Sequence, residues 1–373
     1  MPSDEILDLV ALSLVPGLGP RLTQALLDQY GSAAAVRRTS ASDLQEVPQI
    51  GPKLATAFAK ALAEVDPQAE LDRAIGLGVS LIPLSSVEYP TVLKEVLDAP
   101  HLLYVRGGFV AQDDMAISIV GSRQCTSYGT RMANRLASGL ARAGITVVSG
   151  MALGIDGAAH RGALEAGGRT IAVLAGGLSN VYPPEHVDLS NQIAANGALM
   201  SETPLSMAPQ RGMFHARNRL ISGLSRALVV IEANERSGAL ITARHAIEQG
   251  REVFVVPANV DSPNSAGSLQ LLRDGAKLIR NADDLLEDLS ALKIPVRPGV
   301  YAGPIPGEKA AIPAPTNLEP NQQKLWDMLA EPRHADEITR SLALSAGELS
   351  KLLLTMEMKK LIRRAPGNVY ERR

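Results

Sequence analysis

The chain has 373 residues, 46% apolar and 20% charged, with a mean hydropathy of +0.05; it is long enough for two or three domains and too apolar for a disordered protein. Its 37 basic and 39 acidic side chains leave a net charge of −2, which excludes a uniformly basic nucleic-acid coat, so any polyanion site must come from local clustering of Lys and Arg. The single Cys125 excludes an internal disulfide framework and a cysteine-rich metal site. The acids Asp4 and Glu5, with no apolar run of about 18 residues, point to a cytoplasmic protein without a membrane span.

Residues 1–66 are expected to form a helical domain. Two similar turns, Val15-Pro16-Gly17-Leu18-Gly19-Pro20 and Val47-Pro48-Gln49-Ile50-Gly51-Pro52, repeat at a spacing of 32 residues, each ahead of an Ala/Leu-rich stretch. This spacing fits helix-hairpin-helix units, whose glycines let backbone N–H groups at a helix start approach a phosphate. A helical bundle with Gly-Pro punctuation and no DNA contact fits it as well.

Residues 67–293 are expected to form the second domain. Short apolar runs at 116–120, 145–148, 170–174, 198–200, 227–231 and 252–256 alternate with helical stretches. Most are apolar on both faces, as buried parallel strands are, which predicts a Rossmann-like α/β fold with a doubly wound, mostly parallel sheet.

The loops that leave these strands carry the chemistry. Gly121-Ser122-Arg123 follows the first run; its backbone N–H groups, the Ser122 hydroxyl and the Arg123 fork suit a phosphate. The second loop runs from Ser149-Gly150 to Gly154-Ile155-Asp156, and Ala175-Gly176-Gly177-Leu178 borders it. Asp156 and His160, four residues apart, are expected to pair structurally on one helix face. The stretch from Arg211 to Arg226 holds four arginines and no acid, and Phe214 within it offers a face on which a base could stack. Arg123 and Arg217 are expected to touch phosphate directly, so that removing either would leave the fold intact. The loop Glu232-Ala233-Asn234-Glu235-Arg236-Ser237-Gly238, with Thr242 beyond it, is expected to close the pocket from the other side. No G-x-G-x-x-G follows the first strand, which weakens a dinucleotide-cofactor reading.

Six prolines between 294 and 316 predict an extended linker over 294–317. Three helical stretches at 321–330, 335–342 and 345–360, followed by a hairpin, predict a winged-helix domain over 318–373.

In this order the motifs resemble the DprA/Smf (DNA processing A) family over nearly the whole chain. The resemblance rests on Gly121-Ser122-Arg123 with Tyr128-Gly129, Ser149-Gly150 through Asp156 to His160, Gly176-Gly177-Leu178 with Tyr182-Pro183, Ser201-Glu202, Arg217-Asn218-Arg219 to Ser225, Ser237-Gly238 to Thr242-Ala243, and Gly250 to Pro257. It implies a homodimeric single-stranded DNA-binding protein that protects incoming DNA and loads the RecA recombinase during natural transformation and recombination. It implies no catalytic activity, metal or cofactor. The resemblance places Gly121, Ser122, Arg123, Arg211, Phe214, Arg217, Asn218 and Arg219 in a strand-binding pocket, to which the loops add Gly150, Gly154, Gly177, Ser237, Gly238 and Thr242. Its SAM-like or helix-hairpin-helix extension corresponds to the N-terminal helices and its variable third domain to the winged helix. His215, Ser179, Ala258 and Leu269 depart from residues common in the family.

Two other classes compete. Rossmann relatives hydrolyse nucleoside monophosphates at a Gly-Gly-x-Gly-Thr loop backed by Glu, but here Ser237-Gly238-Ala239-Leu240-Ile241-Thr242 lacks the second glycine. A duplex DNA regulator would use Lys359, Lys360, Arg363 and Arg364 of the winged helix, making double-stranded DNA a further partner.

Overall fold

A computed structural model describes residues 4–291, 318–329, 333–342, 346–359, 361–365 and 369–372. The expected linker, 294–317, lies outside the described residues, as do Lys360 and the side chains of Arg363 and Arg364. The chain forms two compact units, one reaching Gly307 and one beginning at Glu308.

The first unit opens with helices α1 (Asp4–Ser13), α2 (Pro20–Tyr30), α3 (Ala33–Val36), α4 (Ala41–Leu44), α5 (Pro52–Glu64) and α6 (Pro67–Gly76). The repeated turns give α2 and α5 the same start, a glycine cap followed by proline at the first helical position, where no N–H is needed. Gly17 takes a left-handed φ of 84° in the first turn, and Gln49 takes 75° in the second. The second hairpin therefore keeps the geometry of the first without its glycine, at the steric cost such a φ imposes on a side chain.

These helices do not form a separate bead. Leu12, Val15 and Phe58 share one hydrophobic core with Leu102, Tyr104 and Leu199 of the sheet region. The Ser13 hydroxyl lies 3.0 Å from that of Tyr104, and the Glu70 carboxylate accepts from the Leu205 N–H at 2.7 Å. The expected boundary at 66/67 thus marks a change along the chain rather than a gap in packing.

Beyond them come β1 (Val79–Pro83), α7 (Thr91–Lys94), β2 (Leu102–Gly107), β3 (Ile117–Gly121), α8 (Ser127–Arg142), β4 (Val147–Ser149), α9 (Ile155–Glu165), β5 (Thr170–Val173), α10 (Val187–Asn196), β6 (Ala198–Ser201), α11 (Arg211–Gly223), β7 (Ala227–Ile231), α12 (Gly238–Glu248), β8 (Glu252–Val256), α13 (Ala266–Arg273), β9 (Lys277–Leu278) and α14 (Ala282–Ala291). Nine strands form one sheet in the order β1-β2-β6-β5-β4-β3-β7-β8-β9. From β6 to β9 all neighbours are parallel, while β1 and β2 add antiparallel strands at one edge. Strands β4, β5, β6 and β7 are buried at every residue, as their unbroken apolar or small-residue sequences require. From β3 the chain winds outward through β4, β5 and β6, then returns through α11 to lay β7 on the other side of β3. The order therefore reverses between β3 and β7, and ligands of open α/β sheets bind in the crevice at such a point.

The second unit contains α15 (Pro320–Met328), β10 (Arg333–His334), α16 (Ala335–Leu342), α17 (Ala346–Met358), β11 (Ile362–Ala365) and β12 (Val369–Arg372), with strand order β10-β12-β11. Trp326, Leu325, Ile338, Leu353 and Met356 form its core. This is the predicted winged-helix arrangement. The Lys359 ammonium donates to the Gln322 side chain at 3.1 Å.

Candidate nucleic-acid interface

The cleft at the strand-order reversal has a volume of about 660 Å³. One wall is the end of β3 with Gly121, Ser122 and Arg123; another is α11 with Arg211, Phe214, Arg217 and Asn218; a third is the start of α12 with Ser237, Gly238 and Thr242. Four arginines, Arg123, Arg211, Arg217 and Arg236, line it against one carboxylate, Asp156. On a chain of net charge −2 this is a local concentration of positive charge, set at the N-termini of α11 and α12, whose first turns hold no acid. Helix dipole and guanidinium charge add in the same direction, toward an anion.

The arginines divide into two kinds. Arg123 and Arg211 are exposed, and the Arg123 guanidinium lies 5.1 Å from the centre of the Phe214 ring, a cation–π contact that holds the fork at the mouth of the cleft. Arg217 is 5% exposed. It donates to the Val173 carbonyl and, at 3.3 Å, to the Asn218 side chain, so it is the floor of the cleft rather than a freely moving phosphate ligand. Burial lowers its pKa to about 10, opposed by the neighbouring Asp156; it remains charged at neutral pH. Burial raises the Asp156 carboxyl, with Arg217 acting against that rise. The expectation that removing Arg217 leaves the fold intact is therefore corrected: the side chain is buried and bonded to Val173 and Asn218 within the protein.

The β3 loop also differs from expectation in where an anion can sit. Loops after the first strand of such sheets usually offer the following helix N-terminus to phosphate. Here that terminus belongs to α8, and the chain fills it from within. Thr126 caps it, accepting from the Gly129 N–H, and the Glu232 carboxylate accepts from both the Thr126 N–H and hydroxyl. Glu232 is buried and has a left-handed φ of 48°, a conformation that costs of order 1–3 kcal/mol for a non-glycine residue and that its hydrogen bonds offset. Gly129 makes room: a Cβ there would lie 2.4 Å from the Glu232 Oε2. The open helix start facing the cleft is that of α12, where Ser237 caps Ala239 and the Gly238 carbonyl accepts from the Asn218 amide at 3.2 Å.

Ten of the fourteen expected residues line the cleft, and four do not. The Arg219 guanidinium is turned the other way, paired with Glu202 and Asp98 and donating to the Asp98 carbonyl at 2.8 Å. Gly150, Gly154 and Gly177 serve close packing. A Cβ at Gly150 would meet the Asp156 carboxylate at 2.5 Å and the Arg217 guanidinium at 2.9 Å; one at Gly154 would meet the Ser122 carbonyl at 2.3 Å; one at Gly177 would meet the Pro204 carbonyl at 2.0 Å. Nor do Asp156 and His160 pair with each other. Asp156 accepts from the Ala152 N–H at 3.2 Å, and His160 lies 2.6 Å from the Gly150 carbonyl and 2.7 Å from the Thr170 hydroxyl. Burial lowers the His160 pKa to about 4, so the imidazole is neutral at pH 7 and braces the loop that carries Gly150. Asn234 and Arg236 line the cleft as part of the loop expected to close it, and Gln124 joins them without having been named.

The sequence matches three family descriptions: DNA recombination-mediator protein A over residues 80–290, the DprA winged helix domain over 308–368, and a SAM-like helix-hairpin-helix tandem over 9–78. It is 34% identical to the protein Smf of Synechocystis sp. over 98% of both chains, and 43% identical to the DNA processing protein DprA of Bacillus subtilis over 57% of this chain and 72% of that one. Its fold is similar to DprA of Streptococcus pneumoniae, with a TM-score of 0.66 and 31% identity over 77% of this chain and 99% of that one. It is also similar to DprA of Helicobacter pylori, with a TM-score of 0.51 and 31% identity over 57% and 96%; that structure was described for the protein's single-stranded DNA binding mode. Among the described residues no helix is long and apolar enough to cross a membrane.

Proposed function

Because this chain belongs to the DNA recombination-mediator protein A (DprA/Smf) family, we propose that it binds single-stranded DNA in the arginine-lined cleft and works by binding, without turnover. The observation that carries this reading is the pairing of Arg123 with Phe214 at the mouth of a cleft lined by four arginines. The cations take the backbone phosphates without regard to sequence, and the ring takes a base face, which is free only when the base is unpaired. The non-catalytic reading is supported by the loop Ser237-Gly238-Ala239-Leu240-Ile241-Thr242, which lacks the second glycine of a nucleotide-hydrolysing loop.

In the cell this activity would protect incoming DNA in the cytoplasm and deliver it to the RecA recombinase during natural transformation and recombination. A homodimer joined through the sheet domain would place two clefts on one strand, raising affinity for long strands through effective concentration. The test is a gel-shift titration with single- and double-stranded oligonucleotides of equal length at several salt concentrations. Preference for the single strand, with affinity falling linearly in log salt, is expected; equal affinity for duplex, or release of free base from a nucleotide substrate, would overturn the reading.

A further inference from the structure

The stretch from Ser122 to Thr126 joins β3 to α8 and carries Arg123, and one residue of another strand's outlet holds it at both ends. Glu232, directly after β7, accepts from the Ser122 N–H through its main-chain carbonyl at 2.7 Å. Its carboxylate accepts from the Thr126 N–H at 2.7 Å and from the Thr126 hydroxyl. Between those ends the Asn264 amide donates to the Gln124 carbonyl at 3.1 Å, and the Gln124 N–H donates to the Ser122 hydroxyl at 3.1 Å. Gly154 packs so close behind the loop that a Cβ there would meet the Arg123 carbonyl at 2.8 Å. The N–H groups of Ser122, Gln124 and Thr126 are thus used within the protein, and what the loop presents to a phosphate is its arginine fork more than its backbone.

An acid is an unexpected residue for this place. Glu232 is 2% exposed and stands beside a cleft whose four arginines attract phosphate, so by charge alone it works against the ligand. We propose that Glu232, assisted by Asn264, is a positioning residue for DNA binding: it fixes the 122–126 loop in the shape that stands Arg123 against Phe214, so that the guanidinium meets a phosphate without first being ordered. The inference rests on the single-stranded DNA reading and deepens it by naming residues that act on the strand without touching it. Arg123 is exposed, and a long side chain on an unsecured surface loop would give up its freedom only when DNA arrives, at the expense of affinity. Its place 5.1 Å from the Phe214 ring centre holds only while the backbone beneath it stays put. A carboxylate suits the task because it is all acceptor, able to take both the N–H and the O–H of Thr126 at once.

The experiment titrates a 20-nucleotide oligothymidylate over a salt series with wild type, Glu232→Ala, Glu232→Gln and Asn264→Ala, each also on an Arg123→Ala background, and checks folding by urea denaturation. Both changes at 232 remove the same charge and keep a Cβ at the left-handed φ, so a purely electrostatic role would make both bind more tightly. Positioning separates them. Gln keeps an oxygen for the Thr126 N–H and can donate its amide to the Thr126 hydroxyl oxygen, and it should bind at least as well as wild type. Glu232→Ala and Asn264→Ala should lose roughly 5- to 30-fold, what re-ordering about one backbone residue represents. Their salt slope should match wild type, because the Arg123 contact still forms once the loop is ordered. On the Arg123→Ala background these losses should vanish. If Glu232→Ala binds like Glu232→Gln, or its loss persists without Arg123, the positioning role is overturned while the cleft stands. Should Glu232→Ala not fold, Asn264→Ala, in the partly exposed turn Pro263–Ser265, decides by the same cycle. A wild type that binds no oligothymidylate overturns the cleft and the positioning role together.

Discussion

Arg123 and Arg217 lie in one cleft and should fail in opposite ways when removed. Arg217→Ala takes away a buried cation, and with it the donor to the Val173 carbonyl and the charge that acts against the burial-raised Asp156 carboxyl. Removing one of two electrostatically coupled buried groups costs on the scale of a broken buried pair, about 3–5 kcal/mol, a large part of the roughly 5–15 kcal/mol that holds a domain folded. Arg123→Ala removes an exposed guanidinium that rests on the Phe214 face, a contact worth about 0.5–1 kcal/mol. Urea denaturation should therefore separate the two variants by at least about 2 kcal/mol. Oligonucleotide titration should show Arg123→Ala binding more weakly, with a salt slope lower by about 0.7, the loss of one single-strand phosphate contact. The double variant Asp156→Ala/Arg217→Ala should be destabilised by less than the sum of its singles, because the second change removes the orphaned charge. The reasoning is refuted if Arg217→Ala unfolds at the same urea concentration as wild type while losing binding, for Arg217 would then be a free phosphate ligand.

Three other variants test the frame around the cleft. Gly129→Ala sets a Cβ 2.4 Å from a Glu232 oxygen and should cost about 1–3 kcal/mol by overpacking; an unchanged denaturation midpoint would show that Glu232 does not cap α8 tightly. His160, at about 4 in the folded protein against about 6.5 unfolded, contributes stability that is complete above pH 6.5 and is lost as the pH falls toward 4, so wild type should lose about 2 kcal/mol more than His160→Gln between pH 7 and pH 5. The raised Asp156 acts in the opposite sense but is common to both proteins; equal losses would mean that the imidazole is not buried neutral. For the proposed dimer, Ile247 is 61% exposed on α12, whereas Leu271 packs against the core. Ile247→Lys should lower the mass measured by light scattering without changing stability, and an unaltered dimer would move the interface elsewhere.

The strands read most clearly from sequence were those buried on both faces, because β3, β5, β7 and β8 carry their burial in their own residues. Strands β1 and β2 were not legible in that way. They join the sheet through long-range antiparallel pairing, such as Tyr104 with Ser201, which no local pattern contains. In the cleft, counting arginines between 211 and 226 found the right helix but not the right face. Side chains at Arg217 and Arg219, two positions apart, point about 200° away from each other on a helix, so one faces the cleft and the other meets Glu202. Spacing alone also misled at Asp156 and His160, where being four residues apart allowed a contact that nearer partners, the Ala152 N–H and the Gly150 carbonyl, took instead. The role of Glu232 required its left-handed backbone, a feature the identity of the residue argues against.

The core that runs from Leu12 and Phe58 into Tyr104 and Leu199 has a bearing on how this protein can be cut and recombined. A fragment beginning at β1 would carry the sheet's outer edge with its apolar cover stripped away, and would be prone to clump however well its cleft were formed. Grafting the first six helices onto another sheet would demand matching residues at that edge, so the helical segment and the strands it covers work as two halves of a single unit.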